Sequence, residues 1–307
     1  MPSPDRPLRT VLVLACLGGA CGERTPPPPA DSPPAAVAIT LEIAKNLTYG
    51  GVTDRAVTLV DGKYERVPTD STPEDRAIVT LADRGYAIHD INGDGVDDGA
   101  FLLVANFGGS GVFTYLVAVS GRDGTPKSIY TAELGDRTQV SLLAASDSGV
   151  TVEYVGVGAA DPACCPTQKV RQVFPMRADT LVEVVTVDLG RISAADLAGE
   201  WELAWLDWEV PVPEGVTVTA RFEDGRVIGS GGCNGYSGPF RVRDASLEVT
   251  AGPMVSTMMA CAEPAMEVET RYLGSLQGVG RWGWAQGMLA LTYRVENGIG
   301  TLLYRRR

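Results

Sequence analysis

Short apolar runs, each closed by a glycine or aspartate cluster, constrain this chain more than any other feature. Asp61-Gly62 parts the run 57–60 from 63–67, and Asp224-Gly225 parts 216–222 from 226–228. A two-residue type I′ turn needs positive φ at both central positions, which Asp-Gly tolerates, so each pair marks a β-hairpin. Further β-rich runs occupy 85–89, 99–104, 113–119, 140–144, 150–155, 170–175 and 181–187. Connections this short leave no room for crossover helices, and an antiparallel meander is expected rather than a parallel sheet. Two stretches break the pattern. Val37, Leu41, Ile43 and Leu47 suit a short helix, and Val268, Tyr272, Leu273 and Leu276 share one face of a helix over 264–277.

With 307 residues the chain exceeds what one small core needs, and it divides by composition. Arg6 and Arg9 precede an apolar run at 11–17, and Gly18-Gly19-Ala20 then leads to Cys21. This leader, 1–21, resembles a bacterial lipoprotein signal with a lipobox, although Gly18 stands where an aliphatic residue is usual. Cys16 has too little apolar sequence before it to serve the same purpose. The resemblance implies acylation of Cys21 and a partner in the membrane through an N-terminal lipid. Gly22 in second place, where inner-membrane lipoproteins carry Asp, implies an outer-membrane position facing the periplasm. An ordinary secretory peptide is the alternative. The tether 22–35, with Pro26 to Pro29 and Pro33-Pro34, favours extended polyproline geometry. A β-rich module follows over 36–190 and a second domain over 195–307. A net charge of -12 argues against nucleic acid as a partner, because phosphates require a basic face.

The sharpest chemical pattern in the first module is the loop from Asp90 to Asp98. It sets Asp90, Asn92, Asp94 and Asp98 at alternating or near-alternating positions, with Val96 able to add a backbone carbonyl. Oxygen donors so spaced suit Ca²⁺, the one candidate cofactor, while Phe101 replaces the closing Glu of an EF-hand. A metal-free turn held by Asx hydrogen bonds is the competing reading, and both stand open. Asn106 to Gly111 reads as a hairpin turn, since no Gly-Lys-Ser/Thr ending makes it a phosphate cradle. Cys164 and Cys165 lie side by side before Pro166-Thr167. Either each pairs elsewhere or the two join in one eight-membered ring. His89 is the single histidine, which leaves zinc and Cys/His or Ser/His/Asp catalysis without a visible constellation. Gly278, Gly280 and Gly283 match G-x-G-x-x-G in the wrong context, after a helix and before a strand.

The succession of Asn46-Leu47-Thr48-Tyr49, Asp61-Gly62, the Asp90 loop and Cys164-Cys165-Pro166-Thr167 resembles a recurrent module of bacterial lipoproteins with no assigned activity. The last third carries a split signature. Gly232-Cys233-Asn234, Tyr236 and Gly238 are answered by Thr257-Met258-Met259-Ala260-Cys261, with Glu269 in the helix and Gly199-Glu200-Trp201-Glu202-Leu203 as the opening. These residues resemble the META domain of the HslJ heat-shock lipoprotein family, which implies a small antiparallel, barrel-like β domain with a packed helix. It also implies a role in the cell envelope and its stress tolerance, without an established reaction. Asn234 is expected to tolerate left-handed geometry, and Tyr236 to bury its ring while leaving its hydroxyl wet. Cys233 and Cys261 form a disulfide or remain a pair of buried thiols.

The expected fold class is therefore α+β, mainly β, with two antiparallel β-rich domains. The expected function is a non-enzymatic, lipid-anchored binding or structural module of the bacterial envelope. Two alternatives stand beside it. One is a carrier holding an apolar ligand near Met254, Met258, Met259 and Trp282, and the other a calcium-dependent adhesion or scaffold module.

Overall fold

Each Asp-Gly pair turns the chain as its φ preference requires, with Asp61 and Gly62 at φ 50° and 81° and Asp224 and Gly225 at 48° and 73°. The computed structural model describes residues 34–67, 76–162, 164–182, 185–243, 246–296 and 298–307. Cys21, its leader 1–21 and nearly all of the tether lie outside the described residues.

The chain opens with helix α1 (Leu41–Ala44), capped by the Thr40 hydroxyl, which accepts a hydrogen bond from the Ile43 N–H. Strands β1 (Thr48–Tyr49) and β2 (Val57–Thr58) form a small ribbon. The first large sheet contains β3 (Lys63–Arg66), β4 (Ala77–Leu81), β5 (Ala87–His89), β6 (Asp98–Asn106), β7 (Phe113–Ser120) and β8 (Lys127–Asp136). Its order is β3-β4-β6-β7-β8, with β5 on β6. The second sheet has β9 (Gln139–Ser146), β10 (Gly149–Gly156), β11 (Gln168–Arg177), β12 (Thr180–Leu181) and β13 (Val185–Arg191). There β11 pairs with β10, β12 and β13.

The third sheet is built from β14 (Glu200–Asp207), β15 (Val210–Pro211), β16 (Thr219–Glu223), β17 (Arg226–Ser230), β18 (Gly235–Val242), β19 (Val249–Ala251) and β20 (Val255–Ser256). After helix α2 (Ala265–Gln277) it is completed by β21 (Val279–Ala285), β22 (Met288–Val295) and β23 (Gly298–Arg306). The order β19-β18-β17-β16-β14-β23-β22-β21 nearly closes on itself. The Trp282 N–H donates to the Leu247 carbonyl at 2.8 Å, and Glu248 bridges Arg281, so the two ends of the sheet meet. Every strand pairing among the described residues is antiparallel. The fold is mainly β with a barrel-like sheet, as the sequence pattern and the resemblance led us to expect.

Strands β6 and β7 are buried on both faces, and period two explains their nearly unbroken apolar runs. Phe101, Leu103, Tyr115 and Val117 point into one core with Ile39, Tyr49 and Leu59. Ala100, Leu102 and Leu116 point the other way, into a second core shared with Val150, Val152 and Phe174 of the second sheet. A third core fills the barrel around Trp201, Tyr236, Tyr272, Trp282 and Tyr304.

Some expectations need correction. The Asp61-Gly62 corner has one rung, Val60 with Lys63, after which β2 pairs with β1 and β3 with β4. Tyr49 of β1, the partner of Val57 in β2, is fully buried, and its hydroxyl donates to the Ala44 carbonyl of α1 at 2.7 Å. The run 181–187 is not one strand but parts of β12 and β13. Strands β4 and β8 add to the expected runs, and β8 alternates polar and apolar residues too weakly to stand out in the sequence.

Segments 36–190 and 195–307 pack together within the compact unit Pro34–Arg307. The Gln139 side chain accepts from the Trp284 N–H at 3.0 Å, and the Gly287 N–H donates to the Val140 carbonyl at 3.0 Å. The Arg84 guanidinium donates to the Trp208 carbonyl at 2.7 Å and stands 4.6 Å from the Trp205 ring centre, an attractive cation–π placement. Arg305 approaches the same ring at 4.9 Å.

Candidate functional site

The split signature folds together around a buried polar pair, Asn234 and Glu269. The β17–β18 turn carries Cys233 and Asn234, and α2 crosses beside it with Glu269, which is 6% exposed. Glu269 Oε2 accepts the N–H of Cys233 at 3.2 Å and of Asn234 at 2.5 Å, while Oε1 accepts Asn234 Nδ2 at 2.9 Å. A carboxylate taking two backbone donors at a tight turn gives that turn charge-assisted hydrogen bonds. Asn234 then reaches the segment after β20. Its Oδ1 accepts the Thr257 hydroxyl and the Met259 N–H, both at 2.7 Å, and its Nδ2 donates to the Met259 carbonyl at 3.1 Å. Cys233 and Cys261 close the same contact covalently, with Cα atoms 5.9 Å apart.

Gly238 belongs to the cluster by close approach, because a Cβ there would stand 2.3 Å from Met254 Sδ and 2.9 Å from the Pro253 carbonyl oxygen. Gly232 holds φ 116° just before Cys233. Tyr236 departs from expectation. Its hydroxyl is not wet: it donates to the Thr219 carbonyl at 3.0 Å and shares a 2.6 Å hydrogen bond with Tyr272, which also accepts from Tyr304 at 3.2 Å. Burial raises all three phenol pKa values well above the ordinary tyrosine range, so the chain of hydroxyls stays neutral. Asn234 is likewise not left-handed, since Glu269 satisfies its N–H in an ordinary backbone conformation.

Glu269 is the residue that reasoning from pattern underused. Glu269, Tyr272, Leu273 and Leu276 follow the i, i+3, i+4, i+7 spacing of the buried helix face, so an acid stands in an apolar stripe. Such an acid needs buried donors, and the turn at Cys233 provides them.

The four residues considered for an apolar ligand do not converge. Trp282 is 1% exposed inside the barrel, with its indole N–H donating to the Ser246 carbonyl at 3.2 Å, and Met254 packs on Gly238. Met258 is 98% exposed and Met259 57% exposed, on the outside of the strap that Asn234 and Cys261 tie down. Thr257 and Met259 thus serve the signature through a hydroxyl and a peptide group.

In the Asp90 loop the carboxylates cap backbone donors. Asp90 Oδ1 accepts the N–H of Gly93 and Asp94, and its Oδ2 accepts that of Gly95 at 2.8 Å. Asn92 Oδ1 and Asp94 Oδ1 each accept the N–H two residues on, and the Val96 N–H is the donor to Asp94. Asp98, 1% exposed at the start of β6, accepts from Ile91, Asn92 and the Asn92 amide. Burial raises the Asp98 pKa, against the hydrogen bonds that lower it. Asp94 Oδ2 is buried without a hydrogen-bond partner. Among the described residues no three His, Cys, Asp or Glu side chains are grouped to hold a metal by themselves, so an ion would also need Asn92 and the Val96 carbonyl. His89 lies apart from the signature and pairs with Asp147.

Cys164 and Cys165 are joined to each other, in the loop between β10 and β11. The side chain of Asp161, in the same loop, is fully enclosed. Its Oδ2 accepts the N–H of Gly158 at 2.9 Å and of Thr167 at 2.7 Å, and its Oδ1 accepts the Thr167 hydroxyl at 2.7 Å and Arg191 at 2.6 Å. Burial works against the charge, yet these donors outweigh it and lower the carboxyl pKa to about 2.

With this geometry in view, the C-terminal third can be placed. Residues 195–303 match the META domain family model. The match begins at the 3-10 turn Ala194–Leu197 and takes in the barrel-like sheet with α2. A comparison with curated proteins finds no match. Among solved structures, an NMR structure of a protein from Burkholderia xenovorans aligns at 25% identity, covering 43% of this chain and 98% of that one, with a TM-score of 0.30. The β-propeller domain of the Trilobed protease from Pyrococcus furiosus aligns at 9% identity, covering 81% of this chain and 84% of that one, with a TM-score of 0.19. Within the matched residues, the side chains of Cys233, Asn234, Tyr236, Thr257, Cys261 and Glu269 are each engaged by a hydrogen bond or the disulfide.

Proposed function

We propose that this is a lipid-anchored protein of the bacterial cell envelope, held at the outer membrane through Cys21, whose META domain is a non-enzymatic binding or structural module linked to envelope stress tolerance. The observation that supports this reading is how the signature is used. Cys233 is bonded to Cys261, Asn234 and Glu269 satisfy each other, and the Tyr236 hydroxyl is enclosed between a carbonyl and a phenol. Residues so engaged fix a turn and a strap, and they present the outer surface of the strap to a partner in the envelope. The anchor has a direct test. Cys21→Ser should move the protein from the membrane to the soluble fraction and abolish incorporation of labelled fatty acid, since a lipid chain contributes about 0.8 kcal/mol per buried CH₂. Label retained by the Cys21→Ser protein would rule out this anchor.

Asp94 Oδ2 favours a second reading, the calcium-dependent adhesion or scaffold module. A buried carboxylate oxygen without a donor is costly, and a cation held by Asp90, Asn92, Asp94, the Val96 carbonyl and Asp98 would satisfy it. Calcium at 100 times its Kd should stabilise the fold by about 2.7 kcal/mol and raise Tm by about 5 to 10 °C, with EDTA reversing the gain. A Tm indifferent to both additions would leave the loop as an Asx-capped turn.

A further inference from the structure

The geometry points to the Cys164–Cys165 pair as a reversible thiol–disulfide exchange site, whose substrate class is a small or protein-borne dithiol and whose turnover leaves the fold in place. The two disulfides of the described residues have different relations to the chain. Cys233 and Cys261 are separated by 28 positions and Cys164 and Cys165 by one. A disulfide stabilises a fold chiefly by restricting the unfolded chain, and the restriction grows with the length of the loop closed. Joining neighbours restricts almost nothing, so the Cys164–Cys165 bond has little to contribute as a staple.

The loop also does not depend on it. Asp161, with its side chain fully enclosed, gathers the N–H groups of Gly158 and Thr167, the Thr167 hydroxyl and the Arg191 guanidinium, and the Thr167 carbonyl accepts the Ile192 N–H at 2.9 Å. These bonds fix both ends of the segment that carries the cysteines. The Cys165 N–H donates to the Pro162 carbonyl at 2.9 Å, which sets the turn itself. Cys164 is exposed at the tip and Cys165 is half-buried behind it. A loop held from below, with a solvent-facing disulfide on top that staples nothing, is suited to chemistry at the sulfurs.

A thiolate of the dithiol attacks Cys164 Sγ, the Cys164–Cys165 bond breaks, and Cys165 leaves as a thiolate that takes a proton from water. The second thiolate of the reductant then attacks the mixed disulfide and releases Cys164 in the same manner. Two electrons have passed to the protein, and the dithiol has become a cyclic disulfide.

The test uses the whole chain in buffers of graded reduced and oxidised dithiothreitol, with N-ethylmaleimide trapping and peptide mass spectrometry to read each cysteine separately. Folding favours a bond spanning 28 positions over one between neighbours, so Cys164 and Cys165 should become alkylated at a ratio on the order of 100-fold less reducing than Cys233 and Cys261. Circular dichroism and Tm should stay unchanged while they do, and oxidised dithiothreitol should restore the bond. The double variant Cys164→Ser, Cys165→Ser should melt within about 2 °C of the parent and no longer consume the first equivalent of dithiol. Reduction of both pairs together, reduction of Cys233–Cys261 first, or a fall in Tm on opening Cys164–Cys165 would each overturn the proposal.

Discussion

Glu269→Leu is expected to destabilise the protein by about 3 to 5 kcal/mol and to lower Tm by about 10 °C. Leucine matches the rest of the helix face that carries Tyr272 and Leu276, so the loss comes from polar groups and not from helix propensity. Glu269 now takes three donors, the N–H groups of Cys233 and Asn234 and the Asn234 amide. A hydrogen bond to a charged acceptor is worth about 1.5 to 3 kcal/mol, and a buried donor left alone costs about 1 to 3 kcal/mol. Those values do not add in a shared network, which is why the sum is held to 3 to 5 kcal/mol. Glu269→Gln should lose less, because its carbonyl oxygen still accepts one bond while its NH₂ faces donors. Calorimetry on the three proteins should order their Tm values as wild type, Gln, Leu. A Leu variant melting within 2 °C of wild type would mean that the carboxylate does not hold the turn.

How far the fold was legible depended on whether the physics was local. The Asp224-Gly225 corner, α2 and most long strands follow from φ preferences and periodicity, which neighbouring residues determine. Strand β8 is hidden because its partly buried residues mix Ile129 and Tyr130 with Ser128 and Thr131. The two-sided burial of β6 and β7 was readable as an apolar run, whereas which core each face meets depends on sheets distant in sequence. In the signature, Cys233, Asn234, Gly238 and Cys261 were visible as a motif, and Tyr236 was visible with the wrong end exposed. Its hydroxyl is dry because Tyr272 and Tyr304, from α2 and β23, come to it across the barrel. For Cys164 and Cys165 the sequence leaves open whether each pairs elsewhere or the two join, and the structure joins them. Asp161, three residues upstream, proves to be the foundation of their loop, and the tertiary approach of Arg191, on top of the local bonds from Gly158 and Thr167, makes that plain.

Cys233→Ser and Cys261→Ser should each cost about 3 to 4 kcal/mol, the chain-entropy value for the loop that this disulfide closes, and the double variant should cost no more than either single one. Tm falls by about 10 °C in all three. The strap has a second tie, because Asn234 still holds Thr257 and Met259 when the sulfurs are gone. Loss of the disulfide should therefore leave the strap attached but freer, with faster hydrogen exchange at the amides after Met259 and little change at Met259 itself. Combining Cys261→Ser with Glu269→Leu removes both constraints on one turn. The pair should deviate from additivity by more than 0.5 kcal/mol, as expected of groups that share the Cys233-Asn234 peptide, whereas strict additivity would show that the bond and the carboxylate act on separate parts of the domain.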